Sequence, residues 1–250
     1  MPSSVKTIQW GGEQIKTIKI YPTLPSTNSC GKELVIDGCS SGTVVWALHQ
    51  TAGRGRRGRN WGADQSSLTF SVLWATPADF PTEILPLTVG LGLVQSLIAL
   101  VPELKVKWPN DLWFKDRKLG GILAESTQQG GQKWVILGVG LNVNRPSVFF
   151  GKEAISIQEI TKYPWPRLGI LHLALLGMER GIALAQGQGT ELSDLFRQYG
   201  NFLDRTITIV RGEERWMAWA KEVLPDGRLL IEDAQGERAL VPDEISVRFC

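Results

Sequence analysis

The chain has 250 residues, 43% hydrophobic and 21% charged, a composition that excludes a disordered chain, a coiled coil and a disulfide-stapled miniprotein. Lys+Arg 27 against Asp+Glu 25 leaves +2, too weak a field to hold nucleic acid or an anionic membrane unless basic groups cluster locally. Cys30, Cys39 and Cys250 form no CxxC and have only His49 and His172 as possible co-ligands, so no metal site of cysteine and histidine is expected and a reducing, cytoplasmic compartment is.

The first fifteen residues carry Lys6 but no apolar core of signal-peptide length. Period-2 alternation of apolar residues marks half-buried strands at 17–21, 43–49, 68–74 and 134–144. Between the first two, Ser29-Cys30-Gly31-Lys32 reads as a short, glycine-broken segment. The uncharged stretch 84–101 barely reaches bilayer-spanning length and is interrupted by Pro86, Gly90, Gly92, Gln95 and Ser96. It reads as a buried helix over 84–100, opened by Pro86 and stopped by Pro102, with no membrane as partner. Strands at 105–108 and 119–127 follow, and paired glycines at 130 and 131 make a hairpin turn into the strand that ends at 144.

Helical spacing returns at 166–185, where Leu168, Leu171, Leu175 and Met178 recur three or four apart, and again at 191–199. Beyond Asn201 short strands at 206–210, 216–221, 229–232 and 245–249 alternate with turn signals at Gly212, Pro225-Asp226-Gly227 and Gly236. The expected class is α+β: a mixed β-sheet domain flanked by helices over 1–200, with a small β-barrel over 201–250. Seven basic and ten acidic residues from Gly200 onward give that barrel no basic face.

Gly53-Arg54-Gly55-Arg56-Arg57-Gly58-Arg59-Asn60-Trp61 places four guanidinium groups in six residues. Three glycines allow a tight turn with exposed N–H groups, and each arginine offers a fork for carboxylate or phosphate oxygens. The segment is built for anions. It is not a dinucleotide fingerprint, because a strand rather than a helix follows, nor a Walker A loop, because Arg59-Asn60 stands where Lys-Ser/Thr is needed. Taken alone it fits equally a solvated loop or one that grips RNA phosphates.

Further along, Lys107-Trp108-Pro109-Asn110-Asp111 ends a strand at its proline and leaves Asn110 and Asp111 at the strand end. Lys118 opens Leu119-Gly120-Gly121-Ile122-Leu123-Ala124-Glu125, whose paired glycines permit close approach of a ligand or mark an ordinary bulge. In the strand from Trp134, residues Val135, Leu137, Val139, Leu141 and Val143 face one way, while Gly138, Gly140 and Asn142 leave room for a flat ligand on the other face.

In this order and spacing, these segments together with Ser26-Thr27-Asn28 and His49-Gln50 resemble the biotin protein ligase family. The resemblance implies an SH3-like C-terminal barrel and activation of biotin with Mg-ATP to biotinyl-5′-AMP. The biotinyl group then passes to one lysine of the biotin carboxyl carrier protein of acetyl-CoA carboxylase. It implies that Ser26, Thr27 and Asn28 sit by the biotin ring, with Gln50 on its polar edge. Gly53, Arg54, Gly55 and Arg56 would close over biotin and its adenylate, and Trp61 would stack near the adenine. Arg57, Asn110, Asp111 and Asn142 would serve ATP, Asn110 and Asp111 also its Mg2+, and Lys118 would reach the biotin carboxylate and the α-phosphate.

The chemistry agrees independently. The nucleophile is the substrate's own carboxylate, so no Ser-His-Asp or Cys-His arrangement is required and none is evident. Bringing a carboxylate up to a triphosphate costs about 4 kcal/mol per unit-charge pair at 4 Å and a dielectric near 20. Arg54, Arg56 and Lys118 are the residues expected to offset it and to stabilise charge as pyrophosphate leaves. Fewer than twenty residues precede the strand at 17–21, too few for a helix-turn-helix, so DNA is not an expected partner. A lipoate or octanoate ligase or transferase, and a nucleic-acid-binding protein using the Arg-Gly loop, are the alternative readings. A strand edge at 134–142 would allow a homodimer if exposed, and is equally open to being covered within the chain.

Overall fold

The structure is a computed structural model that describes residues 5–62, 66–144, 154–187, 191–242 and 245–249; Cys250 lies outside them. Its first part contains β1 (Lys6–Gln9), β2 (Thr17–Tyr21), α1 (Thr27–Ile36), β3 (Thr43–Ala47), β4 (Ser67–Thr76), α2 (Leu85–Leu97), β5 (Leu104–Lys107), β6 (Asp111–Phe114), β7 (Arg117–Gln129) and β8 (Gln132–Asn142). The helices α3 (Ile157–Thr161), α4 (Arg167–Gln186) and α5 (Leu192–Tyr199) follow. Last come β9 (Arg205–Arg211), β10 (Glu214–Val223), β11 (Leu229–Asp233), β12 (Gly236–Leu240) and β13 (Ser246–Phe249).

Strands β1 to β8 form one sheet in the order β1-β2-β3-β4-β8-β7-β6-β5. Only β2 and β3 run parallel, and α1 makes the crossover between them, as a parallel pair requires. The sheet is therefore mixed, as expected from a chain whose strands precede its helices rather than strictly alternating with them. Of the two alternatives for 134–142, a free edge or a covered one, the structure has the covered one, because β8 pairs along its length with both β4 and β7. The sheet's outer strands are β1 and β5.

Two apolar clusters lie on opposite faces. The larger holds Val135, Leu137, Val139 and Leu141 of β8 together with Phe70, Val72 and Trp74 of β4, and is covered by α2, α4 and α5. The smaller holds Ile136 and Trp134 of β8 with Val45 of β3 and Val35 of α1. Period-2 alternation thus sorts β8 as expected, with one face fully packed and the other carrying Gly138 and Gly140 beside α1. Helices α2 and α4 cross at backbone distance: a Cβ on Gly92 would lie 2.1 Å from the Gly177 carbonyl oxygen. Among the described residues, α4 is the one helix long and apolar enough to cross a membrane; its Ala174, Leu175, Met178 and Ile182 are buried in the core.

The expected glycine-broken segment at 29–32 is instead the middle of α1. Gly31 serves packing there, since a Cβ would meet Leu73 Cδ2 at 2.6 Å. Strands β9 to β13 form a five-stranded antiparallel sheet in the open order β12-β11-β10-β9-β13, so among the described residues the ladder does not close into a ring. Its apolar face, with Ile207, Ile209, Ala220 and Ile231, is continuous with the larger cluster.

Candidate active site

A cleft of about 670 Å3 opens on the α1 face of the sheet, beside the glycines of β8. Four structures enclose it: the start of α1, the Arg-Gly loop, the β5–β6 turn with β7, and the Ile245–Val247 end of the C-terminal sheet. All the residues given a substrate- or nucleotide-binding role from the sequence line it except Gly53. Gly53 lies at the base of the loop, where its carbonyl accepts the Trp61 N–H at 2.9 Å. A Cβ there would sit 2.5 Å from the Trp61 carbonyl oxygen and 2.8 Å from Gln50 Nε2.

One end of the cleft is a buried polar network. Gln50 Oε1 accepts the Thr27 N–H at 2.7 Å. Ser71 Oγ lies 2.7 Å from Thr27 Oγ1 and 2.6 Å from Asn28 Oδ1. Asn28 Nδ2 donates to Glu125 Oε2 at 2.7 Å, and Lys32 Nζ to Glu125 Oε1 at 2.6 Å. Burial pushes the Glu125 carboxyl up, but the hydrogen bonds from Lys32 and Asn28 and the charges of Lys32 and Arg54 outweigh it and hold it below its ordinary value. Asn28 thus has both amide ends engaged, and it fits beside Gly138 because a Cβ there would meet Asn28 Oδ1 at 2.3 Å.

At the other end, Trp61 packs directly against Gly140, where a Cβ would meet the indole Cε2 at 2.4 Å. Asn142 is 2% exposed; its Nδ2 donates to the Ile155 carbonyl at 3.1 Å, while Asn142 Oδ1 and Trp61 Nε1 have no hydrogen-bond partner. A buried acceptor and a buried donor left open in a cleft wall are costly unless a ligand completes them, and an aminopurine offers the matching donor and acceptor edges. Gly138, Gly140 and Asn142 follow one face of β8, so the two ends are separated by about 13 Å at strand rise.

The Arg-Gly loop is a small hairpin, not an open anion-binding turn. Arg54 bridges Asn60, and the Gly55 N–H donates to the Arg59 carbonyl at 2.7 Å, so that N–H is not exposed to a ligand as the sequence suggested. The turn at its tip needs Arg57 at φ 56° and Gly58 at φ 70°, the left-handed region that glycine adopts freely. Two arginines pin the hairpin across the cleft. Arg54 Nη2 donates to Ser29 Oγ at 3.1 Å and lies 3.8 Å from Glu125. Arg56 Nη1 donates to Asn110 Oδ1 at 3.0 Å, and its Nη2 to the Pro242 carbonyl.

On the remaining wall, β5 stops at Lys107, two residues before Pro109, and Asp111 stands at a strand end as the first residue of β6. Asn110 is tied to Ile122 by backbone and side chain, its Oδ1 facing Arg56. Lys118 Nζ donates to Asp111 Oδ1 at 2.7 Å and stands 5.7 Å from the Trp61 ring. The Trp108 indole N–H donates to the Gly227 carbonyl at 2.9 Å, joining this wall to the C-terminal sheet. The described lining carries six cations, Arg54, Arg56, Arg57, Arg59, Lys107 and Lys118, against Asp111 and Asp116. Such a surface is electrostatically complementary to a polyanion. Among the described residues no three His, Cys, Asp or Glu side chains cluster as a metal site.

Reading the sequence alone passed over Lys107, Trp113, Arg59, Ser71 and Glu125. The signal for Lys107 was present, since it opens the Lys-Trp-Pro-Asn-Asp segment; Ser71 and Glu125 are brought in only by the pairing of distant strands.

The profile of the biotin/lipoate A/B protein ligase family matches residues 21–142. A biotin–[acetyl-CoA-carboxylase] ligase of Mycobacterium tuberculosis is 31% identical over 199 residues, which cover 76% of this chain and 73% of that protein. The bifunctional ligase/repressor BirA of Salmonella typhimurium is 28% identical over 239 residues, covering 92% of this chain and 74% of BirA. A biotin protein ligase of Aquifex aeolicus, solved with biotin and ATP, superposes with a TM-score of 0.79 at 27% identity, covering 93% of this chain and 99% of that one.

Proposed function

The chain belongs to the biotin protein ligase family, and on that premise we propose that it activates biotin with ATP and transfers the biotinyl group to a lysine of a biotin carboxyl carrier protein. The observation that carries this reading is one continuous cleft with two different ends. One is a closed polar pocket at Thr27, Asn28 and Gln50, suited to a compact neutral ring. The other leaves Asn142 Oδ1 and Trp61 Nε1 unpaired for a nucleobase, and cations stand between them.

In this assignment Ser26, Thr27, Asn28 and Gln50 hold the bicyclic ring of biotin, and Trp61 and Asn142 hold adenine. The acid tail then meets the α-phosphate beneath Arg54, Arg56 and Lys118. Those groups neutralise the approach of two anions and the charge that develops on the departing pyrophosphate. Arg57 extends this charge toward the phosphates. A magnesium ion bound with the nucleotide would be held on the protein's side by the Asp111 carboxylate, with Asn110 beside it, and would supply Lewis-acid neutralisation of the phosphates. In the second half-reaction the carrier amine attacks the acyl carbon, the C–N bond forms, the acyl–phosphate bond breaks and AMP leaves.

The hairpin that spans the cleft excludes water from the mixed anhydride in the meantime. Arg56 holds that hairpin to Asn110 and to the Pro242 carbonyl, beyond the end of β12, so the C-terminal part of the chain serves the adenylation site as well as any carrier contact. Incubating the protein with ATP, a carrier domain, and biotin, lipoate or octanoate in turn, and weighing the carrier, tests the assignment: only biotin should add mass.

A further inference from the structure

Lys107 takes no part in the roles assigned above, yet its side chain belongs to the cleft. It is only 8% exposed, it lines the same cavity as Asp111 and Lys118, and its Nζ stands 3.8 Å above the centre of the Trp113 ring. Burying an ammonium that could sit in water is unfavourable, and a lysine stem placed for packing alone ordinarily extends its head to solvent. The strand register explains why this one stays. Lys107 of β5 lies directly across from Asp111 of β6, and Trp113, two residues beyond Asp111, lies across from Lys118 of β7. Directly opposed residues and residues two apart share one face of a sheet. The β6–β7 register shifts after Leu112, and Lys118 reaches back past Gly121 to donate from Nζ to Asp111 Oδ1 at 2.7 Å, so Lys118, Asp111 and Lys107 come together on one face of three adjacent strands.

Resting on the assignment of Lys118 and Asp111 to the α-phosphate and its metal ion, we propose that Lys107 is a phosphate-binding residue for the leaving group: its ammonium, fixed on Trp113, receives the β- and γ-phosphoryl oxygens of ATP and holds the pyrophosphate that departs. In the adenylation step a biotin carboxylate oxygen bonds to the α-phosphorus while the bond from that phosphorus to the bridging oxygen breaks. The electron pair leaves with pyrophosphate, and the charge appears where Lys107 stands. The Trp113 ring holds the ammonium in place through its face, so the charge is positioned before the reaction. The second half-reaction involves no pyrophosphate and makes no demand on Lys107.

That asymmetry is the test. Lys107→Met keeps the apolar stem over Trp113 and removes the charge; Lys107→Arg keeps a cation. Pyrophosphate release with ATP and biotin should fall about 10²-fold in Lys107→Met, the effect of deleting one preorganised charge-stabilising donor, and remain much closer to wild type in Lys107→Arg. Transfer to a carrier domain from supplied biotinyl-5′-AMP should stay within twofold of wild type in both. Calorimetry with inorganic pyrophosphate and magnesium, needing neither biotin nor turnover, should show binding to wild type at least tenfold tighter than to Lys107→Met. Equal pyrophosphate binding, or a parallel loss of both half-reactions, would overturn the proposal and make Lys107 a structural prop. A wild-type protein that neither forms nor discharges biotinyl-5′-AMP would instead sink the ligase reading on which the proposal rests.

Discussion

Replacing Gly140 by alanine probes the nucleotide end of the cleft with one methyl group. The new Cβ would lie 2.4 Å from Trp61 Cε2 and 2.7 Å from its Nε1, whereas ordinary van der Waals contact begins near 3.4 Å. Gly140 is fixed by ladders to both β4 and β7, so the indole must retreat, by about 1 Å. Trp61 is bonded to the base of the Arg-Gly hairpin through the Gly53 carbonyl, and its retreat carries the hairpin and Arg56 with it. A misplacement of about 1 Å costs on the order of 10²-fold in rate, equivalent to about 2.7 kcal/mol of transition-state stabilisation. The ring pocket at Asn28 and Gly138 lies two residues away along the strand and is untouched. Single-turnover pyrophosphate release should therefore slow about 10²-fold while biotin binding by calorimetry changes less than about threefold. A folded variant with an unchanged adenylation rate, or one that loses biotin affinity in step with rate, would refute the placement of adenine against Trp61.

Lys118→Ala should slow adenylate formation about 10²-fold or more while its melting temperature stays within about 2 °C of wild type, since the lost Asp111 ion pair is partly exposed and such pairs contribute little; an unaltered rate would remove Lys118 from the machinery. Glu125 is held below its ordinary value, so it stabilises the fold fully above pH about 4.5, and that contribution drains away as pH falls through the lowered folded value. The difference in melting temperature between wild type and Glu125→Gln should accordingly be constant from pH 5 to 7 and narrow below about 4.5; a difference that grows on acidification would contradict the assigned network. Far from the cleft, Glu179 accepts the backbone N–H groups of Glu13, Gln14 and Ile15. Glu179→Ala should cost about 1–3 kcal/mol, seen as a melting temperature lower by roughly 2–10 °C with adenylation unchanged; loss of activity at equal stability would show that this hairpin communicates with the site.

What was legible in the sequence follows from where one physical effect dominates. The alternation in β4 and β8 survives because one face is fully packed and the other opens on a cleft, and α2 and α4 are apolar because they are core. The helix α1 was illegible because Gly31 looks like a breaker, when it is there to let the helix lie against Leu73 and Ile136. Strand β1 is exposed at all four positions, so it carries no alternation, and β6 is only four residues long. Within the site, contiguous motifs such as the Arg-Gly hairpin and the Lys-Trp-Pro-Asn-Asp turn declare themselves by composition. Ser71, Glu125 and the Pro242 carbonyl join the site only through pairing across distant segments, which no local pattern encodes. The folding of Gly55 into a hairpin bond likewise depends on Arg59 returning to it, which spacing alone does not reveal.

If this cleft joins biotin to ATP and passes the product to a carrier lysine, the carrier must gain mass. The most direct measurement is the mass of a biotin carboxyl carrier domain after incubation with the protein, magnesium, ATP and biotin. One biotinyl group should be added on one lysine, dependent on both ATP and biotin, with one pyrophosphate released for each. A carrier whose mass is unchanged, or one that is loaded instead by lipoate or octanoate, would contradict it.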